Sequence, residues 1–291
     1  MHDANASGPM RFFHAFERPL FRGTLLRRYH RFLSDLRLDD GRVVAAHCAN
    51  SGSMEGLVRP GSPVWAMEKP SDGKLQWVWE LSEHPGFPGD PDARCLVGAN
   101  TNRPNQVVKA LLEARVLSEL GPYSAFYPER KYGENSRIDF LLEDGNGGHY
   151  VEVKNVHLVY PDRIAYFPDS KSERATKHLE ELSSLVRQGK KASVVFFVQR
   201  EDATAVRPSD PHDKAFAHAA RAAKEVGVTF LALRVTPTLE GYRVEKETLP
   251  VDLAPYALEP LAPWRADERK FCGWERPPKG APSLADTNLA G

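Results

Sequence analysis

Cysteine, long apolar runs and an excess of either charge are what this sequence of 291 residues lacks. Its three cysteines, Cys48, Cys95 and Cys272, are far apart and odd in number, so they form neither a disulfide framework nor the paired spacing of a zinc site. No apolar run reaches the roughly 20 residues that a membrane-spanning helix needs. Met1 to Met10 is polar, unlike a signal peptide. We therefore expect a soluble cytoplasmic protein that has no membrane partner.

Charge balances over the whole chain but not locally. The 39 Lys and Arg residues equal the 39 Asp and Glu residues, so no global excess indicates a polyanionic partner. Residues 11–37, however, hold seven arginines against Glu17 and Asp35. Because nucleic-acid binding depends on where the cations lie, the composition weakens this class of function without excluding it.

The first part of the chain has the pattern of short strands and tight turns. Turn sequences such as Asp39-Asp40-Gly41 and Ser71-Asp72-Gly73 separate runs in which apolar and polar residues alternate. About five short strands without a convincing helix predict a small β-barrel of the OB-like type. We place this domain at residues 10–84, followed by a linker at 85–100 that is rich in Pro, Gly and Asp.

Residues 101–251 have a different character, with helical and strand patterns in alternation. A helix is predicted to begin near Pro104, and a hairpin follows at 138–156. Helices at 172–187 and 211–226 each precede a continuous apolar run, which is typical of a buried strand. The order predicts a mixed sheet flanked by helices, in an α/β layer. Residues 252–291 are expected to be an extension that is docked at first and partly disordered near its end.

The hairpin carries the candidate catalytic residues. Glu152 and Lys154 share one face of the second strand because side chains alternate along a strand. Antiparallel pairing brings Asp139 beside Glu152, and two converging carboxylates repel each other unless a divalent cation lies between them. We predict a Mg²⁺ (or Mn²⁺) site held by Asp139, Glu152 and the backbone carbonyl of Val153. Lys154 would orient a water or stabilise charge on a phosphate.

This motif has a simpler interpretation. A Glu-x-Lys pair is common on solvated strand faces, where opposite charges stabilise the surface without any catalysis. The preceding Asp139 and the helices on either side of the hairpin favour a metal-dependent nuclease of the PD-(D/E)xK type. Both interpretations stay open at the level of sequence.

Basic residues outside the hairpin are candidates for nucleic-acid binding, and the alternative for each is a solvated or structural role. The arginines lie among phenylalanines that also fit a barrel core. The loop His47–Met54 is rich in small polar residues and has no assigned role. The candidate contacts are Arg22, Arg27, Arg28, Arg31, Lys131, Arg174 and Lys177.

Several stretches together resemble the bacterial sugar fermentation stimulation protein A family. They are "RYHRFLSDLRLDDG", "HCANSGSMEGLVRPG", "KYGENSRIDFLL", "YVEVKNV" and "YFPDSKSERATKHLEEL". The resemblance implies an N-terminal OB-like domain, a C-terminal PD-(D/E)xK nuclease-like domain and sequence-nonspecific DNA binding. Its acidic pair and lysine fall on Asp139, Glu152 and Lys154, and its basic helix positions fall on Arg174 and Lys177. Where members of the family often have an acid in the first helix, this chain has Ala110, which leaves Glu113 as a possible substitute.

Three functions follow from these observations. The first is a Mg²⁺-dependent nuclease acting on DNA, with RNA as a second candidate substrate. The second is a non-catalytic DNA-binding regulator of sugar-utilisation genes, which has kept the nuclease fold. A third, a carbohydrate-binding protein, rests only on the family's name, because the sequence shows no aromatic platform of a sugar site.

Overall fold

The computed structural model describes residues 9–69, 75–87, 90–132, 136–145, 147–278 and Leu284. The predicted turn Ser71-Asp72-Gly73 lies outside these residues. The strands are β1 (Met10–Ala15), β2 (Leu20–Tyr29), β3 (Leu33–Leu38), β4 (Val43–His47), β5 (Pro63–Glu68), β6 (Trp77–Phe87), β7 (Asp90–Gly98), β8 (Ala125–Tyr132), β9 (Ser136–Glu143), β10 (His149–Val156), β11 (Leu158–Val159), β12 (Ile164–Phe167), β13 (Lys191–Val198), β14 (Ala205–Pro208), β15 (Thr229–Pro237) and β16 (Gly241–Leu249). The helices are α1 (Arg103–Glu113), α2 (Glu173–Arg187), α3 (Lys214–Glu225) and α4 (Leu261–Glu268), with 3-10 turns at Ser118–Leu120 and Arg269–Phe271.

Strands β2 to β6 form a closed barrel. The hydrogen-bonded order is β4-β3-β2-β5-β6, and β6 returns to pair with β4 in parallel, which closes the ring. Leu25, Leu36 and Trp79 are fully buried inside it, as the alternation of apolar residues along these strands requires. The predicted OB-like barrel is confirmed.

The second domain is built on a seven-stranded mixed sheet in the order β1-β16-β15-β13-β10-β9-β8. Strands β10, β13 and β15 run parallel to one another, and the outer strands are antiparallel. Val195 and Phe197 of β13 share a core with α1, while Val194 and Phe196 share the opposite core with α2 and α3. Burial on both faces explains why β13 is a continuous apolar run. The predicted mixed sheet flanked by helices is confirmed.

Two short segments differ from the predicted domain boundaries. Strand β1, which we assigned to the barrel, pairs with β16 and packs its Phe12 against the core beneath α1. Strand β7 occupies most of the predicted linker and pairs with β6, with Cys95 and Val97 buried in the barrel core. Both strands join partners through tertiary pairing. Local composition, which is rich in proline around β7, does not report such pairing.

The C-terminal extension folds back over the barrel as far as residue 278. Arg59 donates to Glu268 of α4 across 2.7 Å, and the amide of Gly273 donates to the carbonyl of Ser53 at 2.7 Å. The segment expected to be disordered, residues 279–291, lies outside the described residues except for Leu284. In the described parts of the chain, no helix is long and apolar enough to cross a membrane.

Candidate active site

Asp139 lies where strands β9 and β10 separate. The last matched pair of the hairpin is Val151 with Phe140, one residue before the two acids would face each other. Asp139 Oδ2 instead accepts the backbone N–H of Val153 at 2.7 Å, and its Oδ1 accepts Asn105 Nδ2 of α1 at 2.8 Å. The carboxylate is therefore held between α1 and β10 by two donors.

Glu152 is 3% exposed and has one satisfied and one unsatisfied oxygen. Its Oε1 accepts from Lys154 Nζ at 2.7 Å and from His178 Nδ1 of α2 at 2.5 Å. Its Oε2 is buried and has no hydrogen-bond partner among the described residues. A buried carboxylate oxygen without a donor is costly unless another positive group completes its shell.

The two carboxyl groups have opposite pKa shifts. Burial, together with the charge of Glu152, raises the pKa of Asp139 to about 6, although the Val153 amide, Lys154 and Asn105 oppose the rise. Burial alone would also raise the pKa of Glu152, but Lys154 and His178 outweigh burial and lower it. Two acids whose environments push their pKa values apart are typical of a functional site.

Both acids open into a cavity of about 380 Å³ between the two domains, called here the interdomain cavity. One wall comes from the barrel loop at Asn50 to Gly52, within the segment that had no assigned role. The residues that line the whole interdomain cavity are Arg31, Asn50, Ser51, Gly52, Thr101, Asn105, Asp139, Glu152, Val153, Lys154, Asn155, His157, Phe167, Pro168, Asp169, Ser170, Lys171, Ser172 and Arg174.

Four of the predicted nucleic-acid contacts lie in or near this cavity. Arg31 and Arg174 line it directly. Arg174 and Lys177 also line an adjoining cavity of about 430 Å³, together with Arg137. Lys131 pairs with Arg137 across β8 and β9, so their side chains share a face. These cations form a basic border on one side of the two acids.

The other predicted contacts lie elsewhere. Arg22 is exposed and pairs with Asp39 at 3.1 Å, and Arg27 donates to the buried Asp35 at 2.8 Å. Arg28 is 1% exposed, so the prediction that it contacts nucleic acid is contradicted. Its guanidinium instead donates to backbone carbonyls, including that of Asn50 at 2.6 Å. An isolated sequence gave no reason to separate this arginine from its neighbours.

The donor atoms around the acids fit a hard divalent cation. Asp139 and Glu152 offer carboxylate oxygens, and Glu152 Oε2 is the orphaned buried atom. The structure does not bring three or more His, Cys, Asp or Glu side chains together as a metal-binding group anywhere in the described residues. A cation here would therefore depend on two carboxylates, backbone and water, which is the pattern that Mg²⁺ tolerates. Ligation by the Val153 carbonyl stays a prediction.

Some residues at the site were not predicted from the sequence. Asn105 holds Asp139, and the buried His178 of α2 holds Glu152. Glu113, considered as a substitute acid, pairs with Lys109 on the exposed face of α1 and does not line the cavity. The position of Asn105 in the first turn of α1, directly after Pro104, was the available signal, but a polar residue there is common.

Family models match both domains of this chain. The model described as the SfsA N-terminal OB domain matches residues 26–88. The model described as the sugar fermentation stimulation protein RE domain matches residues 102–241. Together with the fold, these matches define a two-domain protein in which an OB barrel meets a restriction-endonuclease-like sheet.

Whole-chain relatives identify the family. A sugar fermentation stimulation protein homolog of Geobacter sulfurreducens is 46% identical over 235 residues, which are 80% of this chain and 97% of the relative. The homolog of Geobacter metallireducens is 45% identical over 81% of this chain and 98% of the relative. The chain belongs to the sugar fermentation stimulation protein family. The structure of Pyrococcus furiosus SfsA in complex with Ca²⁺ is similar, with a TM-score of 0.73 and 27% identity over 82% of this chain and 98% of that chain.

Proposed function

We propose that this protein is a metal-dependent nuclease that hydrolyses phosphodiester bonds of DNA at Asp139 and Glu152, with RNA as a second candidate substrate. The observation that carries the proposal is Glu152 Oε2, a buried carboxylate oxygen without a donor among the described residues. It lies in the same cavity as Asp139 and Lys154. The solved structure of the Pyrococcus furiosus relative contains Ca²⁺, a hard cation of the same ligand preference, which supports a metal in this family.

A bound Mg²⁺ or Mn²⁺ would supply Lewis-acid stabilisation of charge on the phosphate. Asp139 and Glu152 would hold it, assisted by the Val153 carbonyl. Asn105 and the Val153 amide keep the Asp139 carboxylate in place, and His178 keeps the Glu152 carboxylate in place. Such supporting donors are what give a metal site its geometry.

The proposed role of Lys154 is to contact the phosphate of the substrate and not only to stabilise the folded protein. Its ammonium group lies 2.7 Å from Glu152 Oε1, and its side chain is 11% exposed toward the cavity that holds both acids. A cation in a largely buried position stabilises charge that develops in a transition state more than it would in bulk water. We assign Lys154 to charge stabilisation and to orientation of the attacking water.

Cations at the border of the cavity would hold the nucleic-acid backbone. Arg174, Lys177 and Lys131 are exposed, and Lys131 shares a strand face with Arg137. Sequence-independent affinity for nucleic acid comes chiefly from such contacts with phosphates. The formal net charge of zero is no obstacle, because the cations are gathered beside the acids.

The test is cleavage of single- and double-stranded DNA and RNA with Mg²⁺ or Mn²⁺. We expect Glu152→Gln and Lys154→Ala each to lower the cleavage rate at least about 100-fold. Glu180→Gln and Lys224→Ala remove the same charges from exposed helix positions outside the cavity, and should leave the rate unchanged. EDTA should abolish cleavage by the wild type.

One result of this cleavage experiment would contradict the proposed nuclease activity. If pure wild-type protein binds DNA but cleaves none of these substrates with either metal, the nuclease is excluded. The chain would then be the non-catalytic DNA-binding regulator. Cleavage that survives in Glu152→Gln would show that the activity comes from another site or from a contaminant.

A further inference from the structure

We infer that Arg31, Phe32 and Trp274 form a platform on which unpaired bases stack, so that the substrate of the site proposed above is single-stranded nucleic acid. These three residues are called here the base platform. The inference rests on the proposed nuclease function and names its substrate class. It also gives a role to the C-terminal extension, to which the sequence assigned none.

In the base platform both rings lie beside the Arg31 guanidinium, and Trp274 is also 5.4 Å from the guanidinium carbon of Arg28. The Arg31 guanidinium carbon lies 5.3 Å from the centre of the Phe32 ring and 5.8 Å from that of Trp274. Phe32 is 42% exposed, so part of its ring is open to solvent and to a ligand. His47 stacks beside Phe32, with 6.5 Å between ring centres and 26° between planes. Rings and arginine planes are the groups on which nucleic-acid bases stack.

The turn that carries the platform is held in a demanding conformation. His30 and Arg31 have φ values of 47° and 69°, in the left-handed region that residues other than glycine rarely adopt. Contacts from both sides hold this turn, among them the His30 amide, which donates to Glu275 O at 3.1 Å, and Arg28, which donates to Arg31 O at 2.9 Å. A strained backbone conformation persists only where surrounding contacts maintain it, and such conformations are concentrated at ligand-binding and active sites.

Trp274 reaches the barrel only because the C-terminal extension is fastened there. The Glu275 amide donates to Arg28 O at 2.9 Å, and Arg28 Nη1 donates to Gly273 O at 3.2 Å. The matched RE-domain model ends at residue 241, so Trp274 lies outside the region by which the family is recognised. The extension therefore adds a ring to a surface that the OB barrel begins.

The platform is continuous with the proposed nuclease site. Arg31 lines the interdomain cavity together with Asp139 and Glu152, and its Nε donates to the carbonyl of Ser51 on the cavity wall. A strand whose bases stack on Phe32 and Trp274 would thus have its backbone next to the acids. In a duplex the faces of the bases are already stacked on each other and are closed to these rings. The rings of the base platform can therefore stack only on unpaired bases.

The experiment measures binding in EDTA, where no cleavage occurs, by fluorescence anisotropy. The probes are an oligothymidylate of about 12 nucleotides, within the span of an OB fold, and a duplex of equal length. We expect Phe32→Ala and Trp274→Ala each to weaken binding of the single strand about tenfold, and that of the duplex less than about twofold.

Two variants guard against trivial effects. Phe13→Ala removes a ring of similar exposure, 39%, from β1 on the second domain, and should change neither affinity. Trp274→Phe keeps a ring at the platform and should restore most of the affinity that Trp274→Ala loses. Unchanged melting temperatures would show that the variants are folded, and the exposed Phe32 can be truncated without disturbing a core.

The outcomes distinguish this inference from the nuclease. Single-strand affinity that is unchanged in both ring variants, or a loss equal for both probes, would overturn the base platform. Ring effects on binding in a wild type that cleaves nothing would retain the platform and overturn the nuclease. Cleavage of single strands with a KM that the ring variants leave unaltered would retain the nuclease and overturn the platform.

Discussion

Burial decides which charged residues of this protein can act on a ligand. Arg28 and Arg31 are three residues apart in one arginine-rich segment, yet Arg28 is 1% exposed whereas Arg31 is exposed and lines the interdomain cavity. Glu152 is as buried as Arg28, but one of its oxygens has no donor within the described part of the chain. Arg28 Nε also has no partner there, but the rest of its guanidinium donates to backbone carbonyls and Arg28 does not line the cavity, so it serves the fold. Glu152 lines the cavity, where its partly bonded carboxylate can serve chemistry.

Arg28→Ala should destabilise the protein, contrary to what its place in an arginine-rich stretch predicts. The change removes the bonds that Arg28 donates to the carbonyls of Arg31, Asn50 and Gly273, and it leaves a void where the buried side chain lay. We expect a loss of about 2–4 kcal/mol in the free energy of unfolding, measured in urea. Arg22→Ala, which breaks only an exposed pair, should cost less than about 1 kcal/mol. Equal, small losses in both variants would show that the Arg28 contacts do not matter.

The helices that flank the site are joined at their N-termini. Ser172 caps α2, and its side chain accepts the N–H of Ala175, while Asp213 caps α3 by accepting the N–H of Phe216. The second oxygen of Asp213 accepts the backbone N–H of Ser172 at 2.8 Å. One carboxylate thus fixes the start of α3 and positions α2, the helix that brings His178 to Glu152.

Asp213→Ala should therefore cost more stability than an ordinary lost cap. We expect about 2 kcal/mol from chemical unfolding, against about 1 kcal/mol for Ser172→Ala, because the aspartate satisfies donors of two helices. Ser184→Ala, on the exposed face of α2, should change stability by less than about 0.5 kcal/mol. A loss for Asp213→Ala no larger than that for Ser172→Ala would mean that the link between the helices contributes nothing.

At the scale of the whole molecule, a barrel loop is bonded to the second domain beside the interdomain cavity. Asp169 Oδ2 accepts the amide of Met54 at 2.8 Å and the hydroxyl of Ser53 at 3.0 Å. Glu55 accepts Tyr160 OH at 2.6 Å. These bonds hold the wall of the interdomain cavity opposite the acids, so the cavity exists only when both domains are in place.

Stability should fall with acid through Asp169. Burial by itself would raise the pKa of Asp169, but His157, the Met54 amide and the Ser53 hydroxyl together hold the pKa well below its usual value. A depressed folded pKa contributes stability above the unfolded value of about 4, and this contribution is lost as pH falls toward the folded value. The stability difference between wild type and Asp169→Asn should thus be greatest near neutral pH and shrink below about pH 4.

The measurement is unfolding in urea across this pH range. Asp267→Asn, an exposed carboxylate of α4, provides the comparison and should have little effect at any pH. A difference between wild type and Asp169→Asn that stays constant with pH would contradict the assignment, because it would mean that ionisation of Asp169 does not hold the loop.

The sequence by itself determined the two domains and the core of the candidate site. Period-two alternation gave the barrel strands and placed Glu152 and Lys154 on one face, and the length of the hairpin turn brought Asp139 near them. Both signals are local, since they depend on residues within a few positions of one another. The continuous apolar run of β13 likewise reported burial on both faces of the sheet.

Only the tertiary structure decided how distant segments meet. Strand β1 joins the second sheet, Asn105 and His178 hold the two acids, and residues 252–278 bring Trp274 to the barrel. Each of these contacts joins residues far apart in the chain. A side chain that bonds a neighbour so distant in sequence leaves no periodic trace, because its position is set by the packing of whole elements rather than by the conformation of its own segment.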